Sequence, residues 1–478
     1  MAASARRDHV GAIRAFEQAV RLAPDNPTPA ARLALERQVH GDIVGARRDV
    51  RAARRLPGLD ARTLDLLGHI LSRTSDFEEA VELFRQAAAM APEDIGILNN
   101  LAWGTQHVGA FAEADAALRK VLVLEPADHR AWFSLSGLPD WRPSAGEINT
   151  LSGLLEAAGG DEERSLRLGH ALARAQEALG DAPAALATLE RAKAPRRRAR
   201  RFDIDGALAA FDAAPKAWAN GPTGPGNPSE APIFIVGPPR SGTTLLDRIL
   251  SSHSAVTSAG ELRAMPLIAL WVARVQGDRA PSADVLLRAA GASAELIGRT
   301  YLEAAASLAG TTSRFTDKQP FNLIFAGLIA RTFPNARILR MRRAPADTVL
   351  GNYRQLFNAD SVFHDYAYDL EHTARYVAGL EALSQAWEER LPVDRYRVID
   401  YEALVADPKG QIRAALDFCG LPWDPACLEF HRNSAGVSTA SAVQVREPLH
   451  DRNIGLWRRY GAGFKPALEI LREAGLQA

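Results

Sequence analysis

The run from Ile233 to Leu250, IFIVGPPRSGTTLLDRIL, holds the residues best placed to do chemistry. Gly237, four intervening residues, Gly242, Thr243 and Thr244 follow the G-x-x-x-x-G-K-[ST] phosphate loop in every place but one. Thr243 stands at the lysine position. That lysine is the point charge that reaches the β/γ-phosphates of a nucleoside triphosphate, so its loss argues against an ATPase or GTPase. What remains is a cradle of backbone N–H groups and hydroxyls with Arg240 as its cation, which suits a different phosphorylated ligand. A plain strand-to-helix turn would need neither the paired threonines nor the arginine.

The flanking pattern positions this loop. Ile233–Val236 reads as a strand and Thr244–Leu250 opens a helix, so the loop lies beyond the carboxyl end of a strand and meets a helix N-terminus. Apolar runs at Arg337 (RILRM) and Tyr396 (YRVI) also lead into turns or helices, which predicts an α/β domain with a mainly parallel sheet. The segment KAWANGPTGPGNPSEAP before it cannot continue a helix and reads as a linker. The expected organisation is a helical repeat domain over 1–200, a linker over 201–230 and the α/β domain over 231–478.

The first part of the chain repeats itself. Ala12, Ala46, Ala80 and Ala114 share a 34-residue spacing, as do Pro92 and Pro126, with Pro24 two periods earlier and Pro57 one residue out of step. That period predicts an all-α solenoid of tetratricopeptide-type helix pairs, with a small residue where two helices cross and a proline ending the second. A weaker unit at Gly180 (GDAPAALATLERA) suggests that the array resumes after an irregular stretch from about Pro139 to Gly160. The basic run Lys193–Arg201 (KAPRRRARR) is read as a solvated boundary helix or loop.

Composition narrows the function classes. With 57 acidic and 57 basic side chains among 478 residues there is no net field to draw the whole chain to nucleic acid or a membrane surface. The two cysteines, Cys419 and Cys427, form no disulfide framework, and no C-x-x-C or H-E-x-x-H spacing offers a metal site. The N-terminal residues enter an amphipathic helix without an apolar h-region, and no apolar run has membrane-spanning length. The expectation is a soluble, cytoplasmic protein with metal-free chemistry.

The string PRSGTTLL after an apolar strand resembles the cofactor loop of sulfotransferases, above all the branch with tyrosylprotein sulfotransferases and bacterial proteins that join tetratricopeptide repeats to a sulfotransferase domain. The resemblance extends through AGEL at Ala259, DKQPFN at Asp317, RILRMRRAPADTVLGNYRQLF at Arg337, VIDYEALVADP at Val398, TASAVQVREPL at Thr439 and GLWRRY at Gly455. It implies 3′-phosphoadenosine 5′-phosphosulfate as sulfuryl donor, which has no γ-phosphate for a lysine to grip. By that resemblance Arg240, Ser241, Gly242, Thr243 and Thr244 hold the 5′-phosphosulfate, and Arg240 also offsets charge that develops in transfer. Glu261, twenty-one residues after Arg240, matches the catalytic base. Lys318 matches the lysine on the leaving oxygen, and Ser441 the serine that works with it. Arg343 matches the arginine of the 3′-phosphate, Tyr401 a nucleotide contact, and the segment with Gln444 and Arg446 one that wraps the cofactor.

Three positions depart from that pattern. Gly351 replaces a serine, Ala344 an aspartate, and Leu456 a basic residue before Trp457. Each missing charge-assisted bond forgoes roughly 1.5–3 kcal/mol, although Asn352, Arg354, Arg446 and Arg458 stand close enough in sequence to substitute. The expected acceptor is a tyrosine of a peptide or protein docked on the repeats, with a small molecule or a glycan as the alternative. A repeat scaffold with an inactive transferase domain is the second reading, and a homodimer is left open. A Mg²⁺-dependent phosphoryl transferase using Asp400 is the third, disfavoured by the missing loop lysine.

Overall fold

The computed structural model describes residues 8–74, 76–219, 221, 224–276, 282–357, 362–433 and 444–477. The chain forms two compact units, one up to Ala157, the other running from Ala158 to Asn433 together with the C-terminal segment.

The first unit is a helical repeat. Its helices are α1 (His9–Leu22), α2 (Pro27–His40), α3 (Ile43–Ala53), α4 (Ala61–Arg73), α5 (Phe77–Met90), α6 (Ile95–Val108), α7 (Phe111–Leu124), α8 (His129–Leu135) and α9 (Ala145–Ala157). The period seen in the alanines also sets the helix starts. Asn26, Asp60, Asp94 and Asp128 are the N-caps of α2, α4, α6 and α8, and each side chain accepts a backbone N–H of the first turn. Ala12, Ala46, Ala80 and Ala114 are fully buried on α1, α3, α5 and α7, where a larger side chain would push the helices apart. Gly68 and Gly104 serve the same end, since a Cβ on either would meet the Phe84 ring at 2.8 or 3.0 Å.

A ladder of ion pairs runs at the same period: Arg51 to Glu79, Arg85 to Glu113, and Arg119 to Glu147. Its last rung lies on α9, inside the stretch from Pro139 to Gly160 that sequence reading makes irregular. That stretch contains a regular helix. Ser144 and Glu147 form a reciprocal capping box, with Ser144 N–H donating to Glu147 Oε2 at 2.7 Å and Glu147 N–H to Ser144 Oγ at 3.2 Å.

The second unit begins with α10 (Glu162–Ala178), α11 (Ala182–Ala199) and α12 (Ile204–Ala219). The basic run is not a solvated marker along its whole length: Lys193 is buried in α11, donates to the carbonyls of Tyr353 and Ala367 (2.7 Å to the latter), and lies 4.2 Å over the Tyr353 ring. Much of the expected linker is likewise structured. Ile204, Phe211, Ala214 and Ala217 of α12 pack into the same core cluster as the central sheet, because its apolar residues recur at helical spacing before the Gly/Pro-rich segment starts.

The sheet is five-stranded and parallel throughout, ordered β2 (Val256–Ser258), β3 (Arg314–Asp317), β1 (Pro232–Val236), β4 (Arg337–Arg342), β5 (Tyr396–Asp400). β1 is buried at every residue, as a central parallel strand should be. From β1 the chain builds β2 and β3 on one side, then crosses to β4 and β5 on the other. The crevice at the carboxyl ends of β1 and β4 is therefore a topological switch point, where open α/β sheets hold their ligands. Among the described residues no helix is long and apolar enough to cross a membrane.

Candidate functional site

The loop after β1 turns sharply into α13 (Thr243–Leu250). Gly237 has φ 143° and its missing Cβ would lie 2.6 Å from Met341 O, while Gly242, the N-cap, has φ 107° and sits under the Tyr401 ring, which a Cβ would meet at 2.8 Å. Glycine is required at both by conformation and by space. Arg240 also adopts a left-handed φ of 65°, a strained setting for a residue with a Cβ. The strain is held in place from α14 (Pro345–Tyr353): Asn352 Nδ2 donates to Pro239 O at 2.6 Å and Thr348 O at 2.8 Å, and its Oδ1 accepts from Tyr366 Oη at 2.7 Å. Asn352 thus props the loop from behind and is not a spare ligand.

Arg343 closes the other side. It follows β4, donates to Arg240 O at 3.3 Å and Asn453 O at 2.5 Å, and its guanidinium lies 4.7 Å over the Tyr401 ring. Arg240, Gly242, Thr243, Thr244, Arg343 and Tyr401 line one open, concave cleft. Burial, then the neighbouring Arg343, Arg354 and Arg174, push Arg240 down to about 10. Two polar atoms fit the cradle for an anion: Ser241 Oγ and Arg343 Nε are buried without a hydrogen-bond partner among the described residues. With the N–H groups at the start of α13, they supply donors and no acceptor charge, the complement of a phosphate.

Glu261 and Lys318 form a second group. The backbones of the two segments are laced together, Ala259 N–H to Thr316 O and Lys318 N–H to Gly260 O, each at 2.9 Å. Lys318 is buried and donates through Nζ to Glu261 Oε1, while the Glu261 side chain is 43% exposed. Neither lines the Arg240 cleft. Asp247 of α13 ties the groups together, accepting from Thr316 Oγ1 at 2.5 Å and Ser258 Oγ at 2.9 Å, and burial raises it against the pull of those hydroxyls and of Lys318.

Of the other expected residues, Arg446 lies beside Arg248 and off the cleft, although its neighbours Val445 and Glu447 line it. Gln444 opens a short 3₁₀ turn to Arg446. Ser441 lies outside the described residues. Arg458 stacks 4.8 Å from the Trp457 ring and is exposed, whereas Arg354 lines the cleft.

Sequence reading missed the residue that positions the Glu261 segment. Asp317, at the end of β3, accepts from Leu262 N–H at 3.3 Å, Tyr301 Oη at 2.7 Å and Asn322 Nδ2 at 3.0 Å. Burial raises it to about 7 against those three donors and Lys318. Its signal was its place beside Lys318 in DKQPFN, but a four-residue strand with three polar residues gives little periodicity to read.

Residues 232–425 match the model of the sulfotransferase family, and residues 63–95 that of the tetratricopeptide repeat. An uncharacterized protein of Aquifex aeolicus (strain VF5) is 30% identical over 426 residues, 85% of this chain and 54% of that one. The protein-tyrosine sulfotransferase of Drosophila melanogaster is 28% identical over 254 residues, 47% of this chain and 46% of that one, and protein-tyrosine sulfotransferase A of Caenorhabditis elegans is 28% identical over 231 residues, 46% and 58%. The chain spans about half the length of these relatives. The cradle at the end of β1, the Lys318–Glu261 pair and the family match fall on one stretch of sequence, and the chain accordingly carries a sulfotransferase-family domain together with a tetratricopeptide-repeat segment.

Proposed function

We propose that the protein transfers the sulfuryl group of 3′-phosphoadenosine 5′-phosphosulfate to an acceptor hydroxyl, with a tyrosine of a peptide or protein as the acceptor. The observation that carries the reading is the phosphate loop without a lysine, whose Arg240 shares a cleft with Arg343 and Tyr401 and whose following helix is tied through Asp247 to β3, the strand that leads into Lys318 and its Glu261 contact. The donor, when bound, supplies an activated sulfuryl group on a phosphate leaving group. The chain has to do the rest: bind, align, take a proton and steady the departing charge.

Arg240, Ser241, Thr243, Thr244 and the N-terminus of α13 would hold the phosphosulfate, and Arg343 with Tyr401 the other end of the nucleotide. Glu261 reaches solvent, as a base for an entering hydroxyl must, while Lys318 is buried behind it. Lys318 holds the Glu261 side chain in orientation. When an anion offers Lys318 a better acceptor, Glu261 is released to take the acceptor proton, and the ammonium offsets charge on the leaving oxygen. Asp317 fixes the backbone that carries Glu261. Relatives named as protein-tyrosine sulfotransferases and the repeat segment support a peptide or protein acceptor.

The test is transfer of ³⁵S from labelled donor to a panel of tyrosine peptides, simple phenols and oligosaccharides, with chelator present. Label on tyrosine peptides is the expected result. Label on phenols or sugars alone would replace the acceptor, and no transfer to any of them, with donor binding intact, would favour the scaffold reading.

A further inference from the structure

A second cleft lies in the same unit, and no residue lines both it and the Arg240 cleft. One wall is α11, another the start of α15 (Leu370–Arg390), and a third the chain from Tyr460 to Pro466, where a 3₁₀ turn enters α16 (Lys465–Glu473). Tyr353, the last residue of α14, completes the lining. Both α11 and the Tyr460–Pro466 segment fall outside the residues that match the sulfotransferase family. Tyr460 Oη is committed to Glu177 Oε1, to which it donates at 2.5 Å, so its ring serves as wall.

Three carboxylates line this cleft, Glu190, Asp369 and Glu371, against the one cation Arg197. Asp369 is already engaged: it pairs with Arg197 at 3.1 Å and caps α15 by accepting from His372 N–H at 2.9 Å. Glu190 and Glu371 are exposed, and neither has an ion-pair or hydrogen-bond partner among the described residues. Exposed acids alone would make no site, because water satisfies them. Tyr353 supplies the independent observation. It is 1% exposed, yet its hydroxyl has no hydrogen-bond partner among the described residues. Lys193 holds the ring from one face, its ammonium 4.2 Å from the centroid. The phenol is turned toward the cleft charges: burial and then Glu190 raise it above its ordinary value, with Asp369 adding to them and Arg197 opposing. Buried hydroxyls are rarely left unpaired, and this one opens on a lining that has carboxylates to spare.

We propose that this cleft binds an organic cation, a guanidinium or ammonium on an aliphatic stem. Glu190 and Glu371 pair with the charge, the Tyr353 hydroxyl accepts one of its N–H groups, and Leu186, Leu370 and Pro466 pack the stem. An anion would meet two unpaired carboxylates, and a neutral apolar ligand would strip their water and return nothing for it. Two sources carry the matching chemistry: a small amine, and the side chain of an arginine or lysine in a polypeptide.

The experiment is calorimetric titration of the full chain, at low ionic strength, with butylguanidinium, with the peptide acetyl-Gly-Arg-Gly-amide, and with pentanoate as an anion of similar stem. At least one of the two cations should bind, and pentanoate should not. Glu190→Gln and Glu371→Gln should each weaken cation binding about fivefold or more, as loss of a charge-assisted bond at an exposed rim predicts. Tyr353→Phe keeps the ring that Lys193 covers and removes only the hydroxyl, and should cost about threefold. Affinity of the two glutamine variants for adenosine 3′,5′-bisphosphate should change less than about twofold, which keeps this result separate from the sulfotransferase reading. Tighter binding of the peptide supports a polypeptide source, and tighter binding of butylguanidinium a small amine. No cation binding, equal binding of pentanoate, or cation affinity kept in both glutamine variants overturns the inference.

Discussion

Lys318 Nζ donates to Glu261 Oε1, joining a buried ammonium at the end of β3 to an exposed carboxylate that the chain reaches by a separate turn after β2. The pair places an acid–base couple at the boundary between solvent and protein. Glu261→Gln and Lys318→Ala should therefore each cut sulfuryl transfer by about 10² or more, while the dissociation constant for adenosine 3′,5′-bisphosphate moves by less than about threefold. Single-turnover transfer and calorimetry on the same samples check the split. Wild-type turnover in Glu261→Gln would remove it as the base.

Gly351 makes an unusual prediction. A Cβ there would lie 3.1 Å from Arg240 Cβ, and Arg240 is already held at a left-handed φ. Restoring the family's serine should push on the arginine that grips the donor. Gly351→Ser is expected to weaken bisphosphate binding several-fold despite the added hydroxyl. Tighter binding would mean that Arg240 can yield and that the hydroxyl reaches a phosphate.

The ladder along the repeats can be measured one rung at a time. Arg85 and Glu113 pair at 2.7 Å on half-exposed side chains, so a double-mutant cycle with alanine should give a coupling of about 0.2–1 kcal/mol. The coupling should fall in about 1 M salt, where screening is strong.

His364 stacks on Phe357 with ring centroids 4.2 Å apart, and burial lowers it to about 4 against the opposing pull of Glu261. Its folded value is depressed below the ordinary 6.5. The unfolded chain then binds more protons between those values, so stability rises with pH through that window and is lost as pH falls. His364→Phe should flatten the dependence by up to about 1.4 kcal/mol per pH unit between about pH 4 and 6.5. Parallel melts of both proteins across that range would show it, and superimposable profiles would contradict it.

Much of this architecture is legible in the sequence because it recurs or because it constrains the backbone. The alanines and prolines at a fixed period mark the repeats, and Gly237 and Gly242 mark the loop, since no other residue fits those φ values and contacts. The strands at Ile233, Arg337 and Tyr396 carry enough apolar residues to be seen. β3 does not, and with it Asp317 goes unread. The helix at Ala145–Ala157 is announced only by the capping pair Ser144 and Glu147, which four residues of turn-like sequence obscure. Lys193 shows the limit of reading a charge run as solvated: two backbone carbonyls and an aromatic face in the tertiary structure make a buried ammonium tolerable.

The central claim is that the cleft at the end of β1 binds a nucleotide carrying phosphate at both ends of its ribose without a metal. The most direct measurement is calorimetric titration of the wild-type protein with adenosine 3′,5′-bisphosphate in the presence of EDTA. A dissociation constant in the micromolar range or tighter, about −8 kcal/mol, that is lost in Arg240→Ala is the predicted result. Absence of binding, or binding that survives Arg240→Ala unchanged, would contradict it.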